Sequence, residues 1–142
     1  MRILAGLALA LLIAAPVAAA SPTIEVQTPQ PFHYGDVLSV VVHGDLPGHP
    51  GEPKPKSHLR LDCRWSPDPL EPEYTEFVYS PASETPIPLH LGLAPSGAGI
   101  SDWDIAGGGP ADCTIRLYSV RYVNGWYVID TLFDTVAFHV EA

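Results

Sequence analysis

The sequence predicts an all-β sandwich of about seven short strands with one disulfide. Apolar and polar residues alternate in several runs, which is the pattern of a strand with one buried face. The pair Asn124-Gly125 separates two apolar runs, and Asn-Gly is the strongest short-range signal of a β-hairpin. The two cysteines, Cys63 and Cys113, both fall on the apolar faces of such runs. Together these observations predict two strands tied by a disulfide in the centre of the sandwich.

The N-terminal segment has the organisation of a secretory signal peptide. Arg2 supplies a positive charge, residues 3–15 are almost all apolar, and Ala18-Ala19-Ala20 offers a small-residue cleavage site. A membrane anchor is the alternative, but the apolar run is shorter than the roughly 20 residues that span a bilayer. We therefore expect residues 1–20 to be removed after Ala20. Residues 21–142 are then a single secreted domain that has no membrane segment.

The charge of the chain bears on its partners. Sixteen Asp and Glu residues against seven Lys and Arg give a net charge of −9, and the acidic residues are dispersed. Nucleic acid and anionic lipid both require clustered Lys and Arg, so neither is expected as a partner. We expect a soluble extracellular monomer.

The first half of the domain predicts three strands. Residues 23–27 alternate and stop before Pro29, which is typical of an edge strand. Residues 32–36 predict a turn, and residues 37–43 a strand that is covered on both faces, since Val41 lies opposite its main apolar side. A loop rich in Gly and Pro occupies residues 44–57. The next strand, over 58–65, alternates between solvent and core in the order His58, Leu59, Arg60, Leu61, Asp62, Cys63, Arg64, Trp65.

The second half predicts four more strands. Residues 76–80 form a short strand with Phe77 and Tyr79 on one face. The run over 87–93 alternates, and its Pro88 indicates an edge position. A loop over 94–110 follows, with Trp103 and Ile105 as apolar anchors. Strands over 112–123 and 126–140 then form the hairpin.

The predicted hairpin contains an irregularity. Its core face at the base is set by Cys113 and Leu117. Continuing that face toward the turn would bury Arg121 and Asp130, which is costly without partners. Nearer the turn the apolar side consists of Val120, Tyr122, Tyr127 and Ile129. We therefore predict a bulge or sharp twist near 118–119 and 130–131.

A bridge between Cys63 and Cys113 would close a loop of about 50 residues, worth roughly 4 kcal/mol. An even pair of cysteines suits an oxidising compartment. Two unpaired core thiols are the alternative. A redox-active pair is not indicated, because the sequence contains no Cys-x-x-Cys.

The pattern resembles immunoglobulin-like domains over most of residues 23–140. About seven strands, an early cysteine in Cys63-Arg64-Trp65 and a second cysteine on the penultimate strand carry the resemblance. In antibody domains a Tyr stands two residues before the second cysteine, where this chain has Ala111. Counting strands leaves two arrangements open: a bridge between neighbours in one sheet, or one between sheets. The segment from Trp103 to Cys113, with the export signal, looks like small secreted actinobacterial proteins of unassigned function.

Four histidines lie before, within and after the loop over 44–57 and are candidate metal ligands at one end of the sandwich: His33, His43, His49 and His58. Surface histidines are the alternative interpretation, since the spacing matches no ligand motif, and no cofactor is predicted.

Catalytic residues are not predicted. Ser96 lacks a Gly-x-Ser-x-Gly context, and no two carboxylates are paired on a strand face beside an aromatic platform. We do not expect an enzyme.

The hairpin tip carries the candidate binding residues: Tyr118, Arg121, Tyr122, Trp126 and Tyr127. Tyr, Trp and Arg are enriched at binding hot spots, although cross-strand packing also explains such a cluster. The leading hypothesis is a secreted non-catalytic module that recognises another protein of the envelope or host through this tip and the loop over 44–57. The alternatives are a metal or small-ligand carrier that uses the loop histidines, and an enzyme or enzyme inhibitor without a recognisable motif.

Overall fold

The computed structural model describes residues 18–64, 74–93, 103 and 108–142. Every element whose bounds are described is a β-strand. In chain order they are β1 (Thr23–Val26), β2 (Phe32–His33), β3 (Val37–His43), β4 (Ser57–Arg64), β5 (Tyr74–Tyr79), β6 (Ile87–His90), β7 (Ala111–Val123) and β8 (Trp126–Glu141). Most of the predicted signal peptide, together with Trp65, Ser96 and Ile105, lies outside the described residues. Within them, no helix is both long and apolar enough to cross a membrane.

The strands form two sheets, and the predicted fold class is confirmed. One sheet has the order β1-β3-β6 and the other the order β2-β8-β7-β4-β5. All pairs are antiparallel except β2 with β8. In antibody-type domains the first cysteine lies in the sheet opposite the last two strands, whereas here β4, which carries Cys63, pairs with β7 in the same sheet. The edge positions predicted for β1 and for β6, with its Pro88, are confirmed, and so is the central position of β3.

The core lies between the two sheets. Leu38, Val40 and Val42 of β3 face Leu59 and Leu61 of β4 across it, all fully buried. The period-2 alternation of both strands provides these layers. The other buried side chains of the cluster include Phe32, Tyr74, Leu89, Leu91, Trp103, Ile115, Leu117 and Val140.

Both open edges of the sandwich are closed by a carboxylate that crosses between the sheets. The backbone N–H of Ile24 in β1 donates to Asp134 Oδ2 of β8 at 2.7 Å. At the opposite edge, the N–H of His90 in β6 donates to Glu76 Oε2 of β5, also at 2.7 Å. These bonds satisfy edge N–H groups that a sheet would otherwise leave open.

The disulfide between Cys63 and Cys113 is confirmed, and it joins neighbours within one sheet. The two residues are direct partners in the β4–β7 pair, with Cα atoms 4.1 Å apart. Both are buried. The bridge therefore crosslinks β4 and β7, two adjacent interior strands of the five-stranded sheet, and does not join the two sheets.

The hairpin of β7 and β8 contains the predicted irregularity. The register shifts twice, so that β8 carries one extra residue at Asp130 and another at Phe133. Ser119, which stays on the core side of β7, accepts a hydrogen bond at its Oγ from the N–H of Thr131 at 3.1 Å. The bulges twist the hairpin, and beyond them Arg121 is exposed instead of buried.

Three expectations are wrong in detail. Phe32–His33 is not part of a turn but a short strand that pairs in parallel with β8. Leu93 is exposed although it continues the apolar alternation of residues 87–91. The polar face of β4 is not open to solvent, since His58 is only 4% exposed and Asp62 only 6%. That face is covered by other residues, which are described in the next subsection.

An exposed histidine links three segments of the smaller sheet. His43 Nε2 lies 2.7 Å from Glu25 Oε2 of β1, and His43 Nδ1 lies 2.8 Å from Glu84 Oε2 in the turn before β6. Both ring nitrogens therefore face carboxylates, which favours the imidazolium form. The hydrogen bonds to Glu25 and then Glu84 raise the pKa of His43 above its usual 6.5.

We expect this link to make stability depend on pH. A raised pKa in the folded state means that the stabilisation is fully present below about pH 6.5 and is lost as the pH rises through the folded pKa. Urea unfolding at about pH 5.5 and about pH 9 should show that His43→Gln removes this part of the pH dependence, whereas His49→Gln does not. Identical pH dependence in the native protein and His43→Gln would contradict the assignment.

Candidate functional site

The outer face of the five-stranded sheet carries a groove of about 690 Å³, which we call the aromatic groove. Its size is in the range of ligand pockets, about 300–1,000 Å³. The groove is lined by Gly51, Glu52, Pro55, His58, Arg60, Phe77, Tyr79, Ser80, Tyr118, Val120, Tyr127 and Ile129.

The register of the sheet assembles the groove. His58 of β4 pairs with Tyr79 of β5 on one side and with Tyr118 of β7 on the other. One row further along, Arg60 pairs with Phe77. Because side chains of directly paired residues lie on the same face, aromatic residues far apart in the sequence form one surface.

His58 lies at the floor of the groove among four aromatic rings. The ring centroids of Tyr79, Tyr118, Tyr127 and Phe77 lie 4.9, 5.4, 5.5 and 6.5 Å from that of His58, all edge to face. The buried Nε2 atom has no hydrogen-bond partner among the described residues. Burial lowers the pKa of His58 below 6.5 and raises the pKa of Tyr118, so both side chains are neutral at pH 7.

The loop over 44–57 forms one rim and is anchored to the sheet at its end. The N–H of Val120 donates to the carbonyl of Lys56 at 2.8 Å, and the N–H of Ser80 donates to the carbonyl of Ser57 at 2.9 Å. Ser57 Oγ in turn donates to the carbonyl of Pro47 at 2.9 Å. These bonds hold the loop beside the groove.

The hairpin tip forms the other rim. The rings of Tyr122 and Tyr127 are 5.2 Å apart, and Lys54 Nζ of the loop lies 4.7 Å from the centre of the Tyr122 ring. Trp126, at the tip, is 76% exposed. Loop and hairpin therefore meet in a cation–π contact above the sheet.

The structure brings the five predicted binding residues to this region but gives them different roles. Tyr118 is buried at the floor, whereas Tyr122, Trp126 and Tyr127 are exposed. Arg121 extends from the hairpin and pairs with Asp130, its Nε lying 2.7 Å from Oδ1. The apolar side predicted for the hairpin near its turn thus faces the groove and not the core.

Of the groove residues, only Tyr118 and Tyr127 were among the predicted binding residues, and the missed ones include His58, Arg60, Phe77 and Tyr79. The sequence places His58 and Arg60 on the polar face of one strand, and Phe77 and Tyr79 together on one face of another. The missing information was that these two strands are neighbours in the sheet, in a register that puts the four side chains on the same face.

A polar region adjoins the groove on the same sheet face. Asp62 Oδ1 accepts hydrogen bonds from Arg60 Nε and Thr75 Oγ1, each at 2.8 Å, and Arg116 donates to Oδ2. The Arg60 guanidinium also lies 5.0 Å from the Phe77 ring centre. Beyond Asp62 is a depression of about 320 Å³ lined by Asp62, Arg64, Asp112, Thr114 and Arg116.

The four histidines proposed as metal ligands have separate surroundings. His33 lies near Asp36 and Glu141, His43 is held by Glu25 and Glu84, and His58 lies in the aromatic groove. His49 is exposed in the loop over 44–57. In the part of the chain that the structure describes, no three His, Cys, Asp or Glu side chains are arranged to hold a metal ion.

The buried imidazole of His58 should make the protein sensitive to acid. Because its folded pKa is lowered, the unfolded chain binds the proton more tightly, and stability falls as the pH drops below about 6.5. His58→Phe keeps the aromatic contacts and removes the proton. Melting temperatures between about pH 7 and pH 4.5 should fall less in this variant than in the native protein. Parallel curves would contradict the assignment.

Comparison with family models, with curated proteins and with solved structures found no match to this chain. The resemblance to small secreted actinobacterial proteins therefore stays a prediction, and function has to be argued from the groove.

Proposed function

We propose that the protein is a secreted, non-catalytic binding module whose aromatic groove receives part of a partner protein. The observation that carries this proposal is the concentration of exposed large apolar side chains around one groove. Those on the groove face are Phe77, Tyr79, Tyr122, Tyr127, Ile129 and Leu132, and Val123, Trp126 and Val128 occupy the alternate positions of the hairpin tip. Scattered single apolar residues are normal on a surface, but a contiguous patch beside a groove marks an interaction site.

The composition of the groove supports a protein as the partner. Interface centres are enriched in Tyr, Trp, Phe and Arg, and these side chains carry most of the binding energy. The groove and its rims combine aromatic rings with aliphatic side chains such as Val120 and Ile129. Trp126 is the most exposed of these side chains at 76%, and with Tyr122, whose ring contacts Lys54, it is the expected anchor.

The two strands that form the floor of the groove are crosslinked before any partner binds. The disulfide joins β4 and β7, the same two strands that carry His58 and Tyr118. Side chains that are already ordered lose little conformational entropy on binding, so more of the contact energy contributes to affinity.

Export is part of the proposal. The N-terminal sequence predicts a signal peptide, and a buried disulfide is typical of proteins from oxidising compartments. The expected partner is therefore exposed at the cell envelope or outside the cell.

A small-ligand carrier is the second candidate, favoured by two polar atoms of the groove. His58 Nε2 and Ser80 Oγ are buried and have no hydrogen-bond partner among the described residues. A small aromatic ligand with one acceptor and one donor group would satisfy both atoms once it displaced the side chains that cover them. In that case the site is the groove and not the set of loop histidines.

Capture from envelope and culture-medium fractions of the producing cell tests the proposal. The secreted protein, tagged at its C-terminus, is compared with Tyr122→Ala/Trp126→Ala. The control is Val37→Ala, because Val37 is also about half exposed (53%) but lies on the other sheet. One protein should be retained by the native chain and by Val37→Ala and lost with the double variant. The same proteins retained by all three chains would contradict the proposal.

A further inference from the structure

The basic residues of the chain are concentrated on one face. Seven Lys and Arg occur in the sequence, and Arg2 belongs to the predicted signal peptide. All six others line the aromatic groove or one of two depressions beside it: Lys54, Lys56, Arg60, Arg64, Arg116 and Arg121. The three depressions adjoin one another on the five-stranded sheet and its hairpin.

In the described part of the chain, this face holds fewer carboxylates than cations. Arg60 and Arg116 share the single carboxylate of Asp62, and Arg121 pairs with Asp130. Lys54 contacts the Tyr122 ring, and neither it nor Lys56 forms an ion pair among the described residues. With Glu52 and Asp112 counted as well, the described residues of this face include six cations and four carboxylates.

The remainder of the molecule has the opposite charge. Six other described carboxylates have their contacts elsewhere, and no Lys or Arg lies among them: Glu25, Asp36, Glu76, Glu84, Asp134 and Glu141. A strongly acidic chain therefore presents one cationic and aromatic face. Such a distribution orients a negatively charged partner toward the groove and repels it from every other face.

We infer that the occupant of the aromatic groove is an acidic protein segment with aromatic or large aliphatic side chains. This inference rests on the proposed function. The apolar side chains enter between β5 and the hairpin, over His58 and Tyr118. The carboxylates of the bound segment lie toward Lys54 and Lys56 on the loop rim. Neither lysine has to break an existing ion pair among the described residues to bind them.

A protein segment fits this face better than other anions do. Nucleic acid and anionic membranes are bound by surfaces with a large excess of cations, and the excess among the described residues of this face is only two. Exposed aliphatic residues such as Ile129 and Leu132 offer no stacking face for a base or a sugar, whereas they suit the side chains of a peptide.

Selection from a random library of peptides of about 12 residues, displayed on phage, tests the inference with the tagged secreted protein as the target. The charge variant is Lys54→Gln/Lys56→Gln. Its control, Thr23→Glu/Val37→Glu, changes the net charge by the same amount on exposed positions of the other sheet. A short DNA duplex, phosphatidylserine vesicles and a sulfated polysaccharide serve as further probes.

We expect the selected peptides to be enriched in Asp or Glu together with aromatic or large aliphatic residues. A synthetic copy should lose about fivefold in affinity with the charge variant, at roughly 0.5 kcal/mol for each exposed ion pair. The control should lose less. Selected peptides without acidic enrichment would overturn the charge inference and leave protein recognition standing. Equal selection by Tyr122→Ala/Trp126→Ala would overturn both, and tighter binding to DNA, vesicles or polysaccharide than to any peptide would overturn the inference.

Discussion

The double variant Cys63→Ala/Cys113→Ala should lose about 4 kcal/mol of unfolding free energy. The bridged residues are separated by 50 positions, so that the crosslink removes much of the freedom of the unfolded chain between them. The typical net stability of a domain is about 5–15 kcal/mol. We therefore expect a melting temperature lower by about 15 °C and, at 37 °C, a substantial unfolded fraction.

Urea unfolding of the variant and of the native protein, with and without reductant, measures this loss. Alanine is chosen because a serine at either buried position would add an unsatisfied hydroxyl. Reduction of the native protein should cause a similar loss without any substitution. A difference below about 1 kcal/mol in both comparisons would show that the bridge is not a main source of stability.

Asp62→Ala is the second substitution with a large expected effect, about 2–3 kcal/mol of destabilisation. The side chain of Asp62 is buried and holds Arg60, Thr75 and Arg116 by hydrogen bonds. Its removal leaves two guanidinium groups without their carboxylate. Both are partly exposed, so water compensates some of the loss, and the effect stays below that of a fully buried pair.

Asp112→Ala is the matched control for this substitution. Asp112 lies on the same sheet face and its Oδ1 is 2.8 Å from His139 Nδ1, but its side chain is 89% exposed. Its loss should therefore cost less than about 0.5 kcal/mol. Equal effects of the two substitutions in urea unfolding would show that Asp62 is not the organising group of the polar region.

The sequence predicts the fold where each strand has one clear apolar face. Alternation of residues 58–65 and of Cys113 to Leu117 predicted the two bridged strands, and Asn124-Gly125 predicted the hairpin. The bulges were predictable as well, because unbroken alternation would have buried Arg121 and Asp130. These conclusions depend on local pattern and on the cost of burying charge.

The cover over the outer face of β4 was not predictable from that pattern. Alternation shows which residues share a face, and it does not show what packs on that face. His58 and Asp62 are buried because β5, the hairpin and the loop over 44–57 bring their side chains there. That packing depends on which distant segments pair with β4, and the alternation of a single strand does not identify its neighbours.

The charge distribution of the folded surface was also not predictable from local sequence pattern. The Lys and Arg residues are dispersed along the chain, so the sequence indicated no basic cluster. In the fold, Arg60 and Arg116 are direct cross-strand partners, and Lys54 reaches the hairpin at Tyr122. The candidate site was therefore predictable at its hairpin rim and at Tyr118, but not at the rest of its floor or in its charge.

Site-specific photo-crosslinking in the producing cell tests most directly whether a partner docks on the aromatic groove. Benzoylphenylalanine is placed at Tyr79 or Ile129 on the groove, and at Thr23 or Val37 on the other sheet. All four positions are exposed. The account predicts that the two groove positions crosslink to the same protein and the two opposite positions do not. Crosslinks only from Thr23 and Val37, or none from Tyr79 and Ile129, would contradict it.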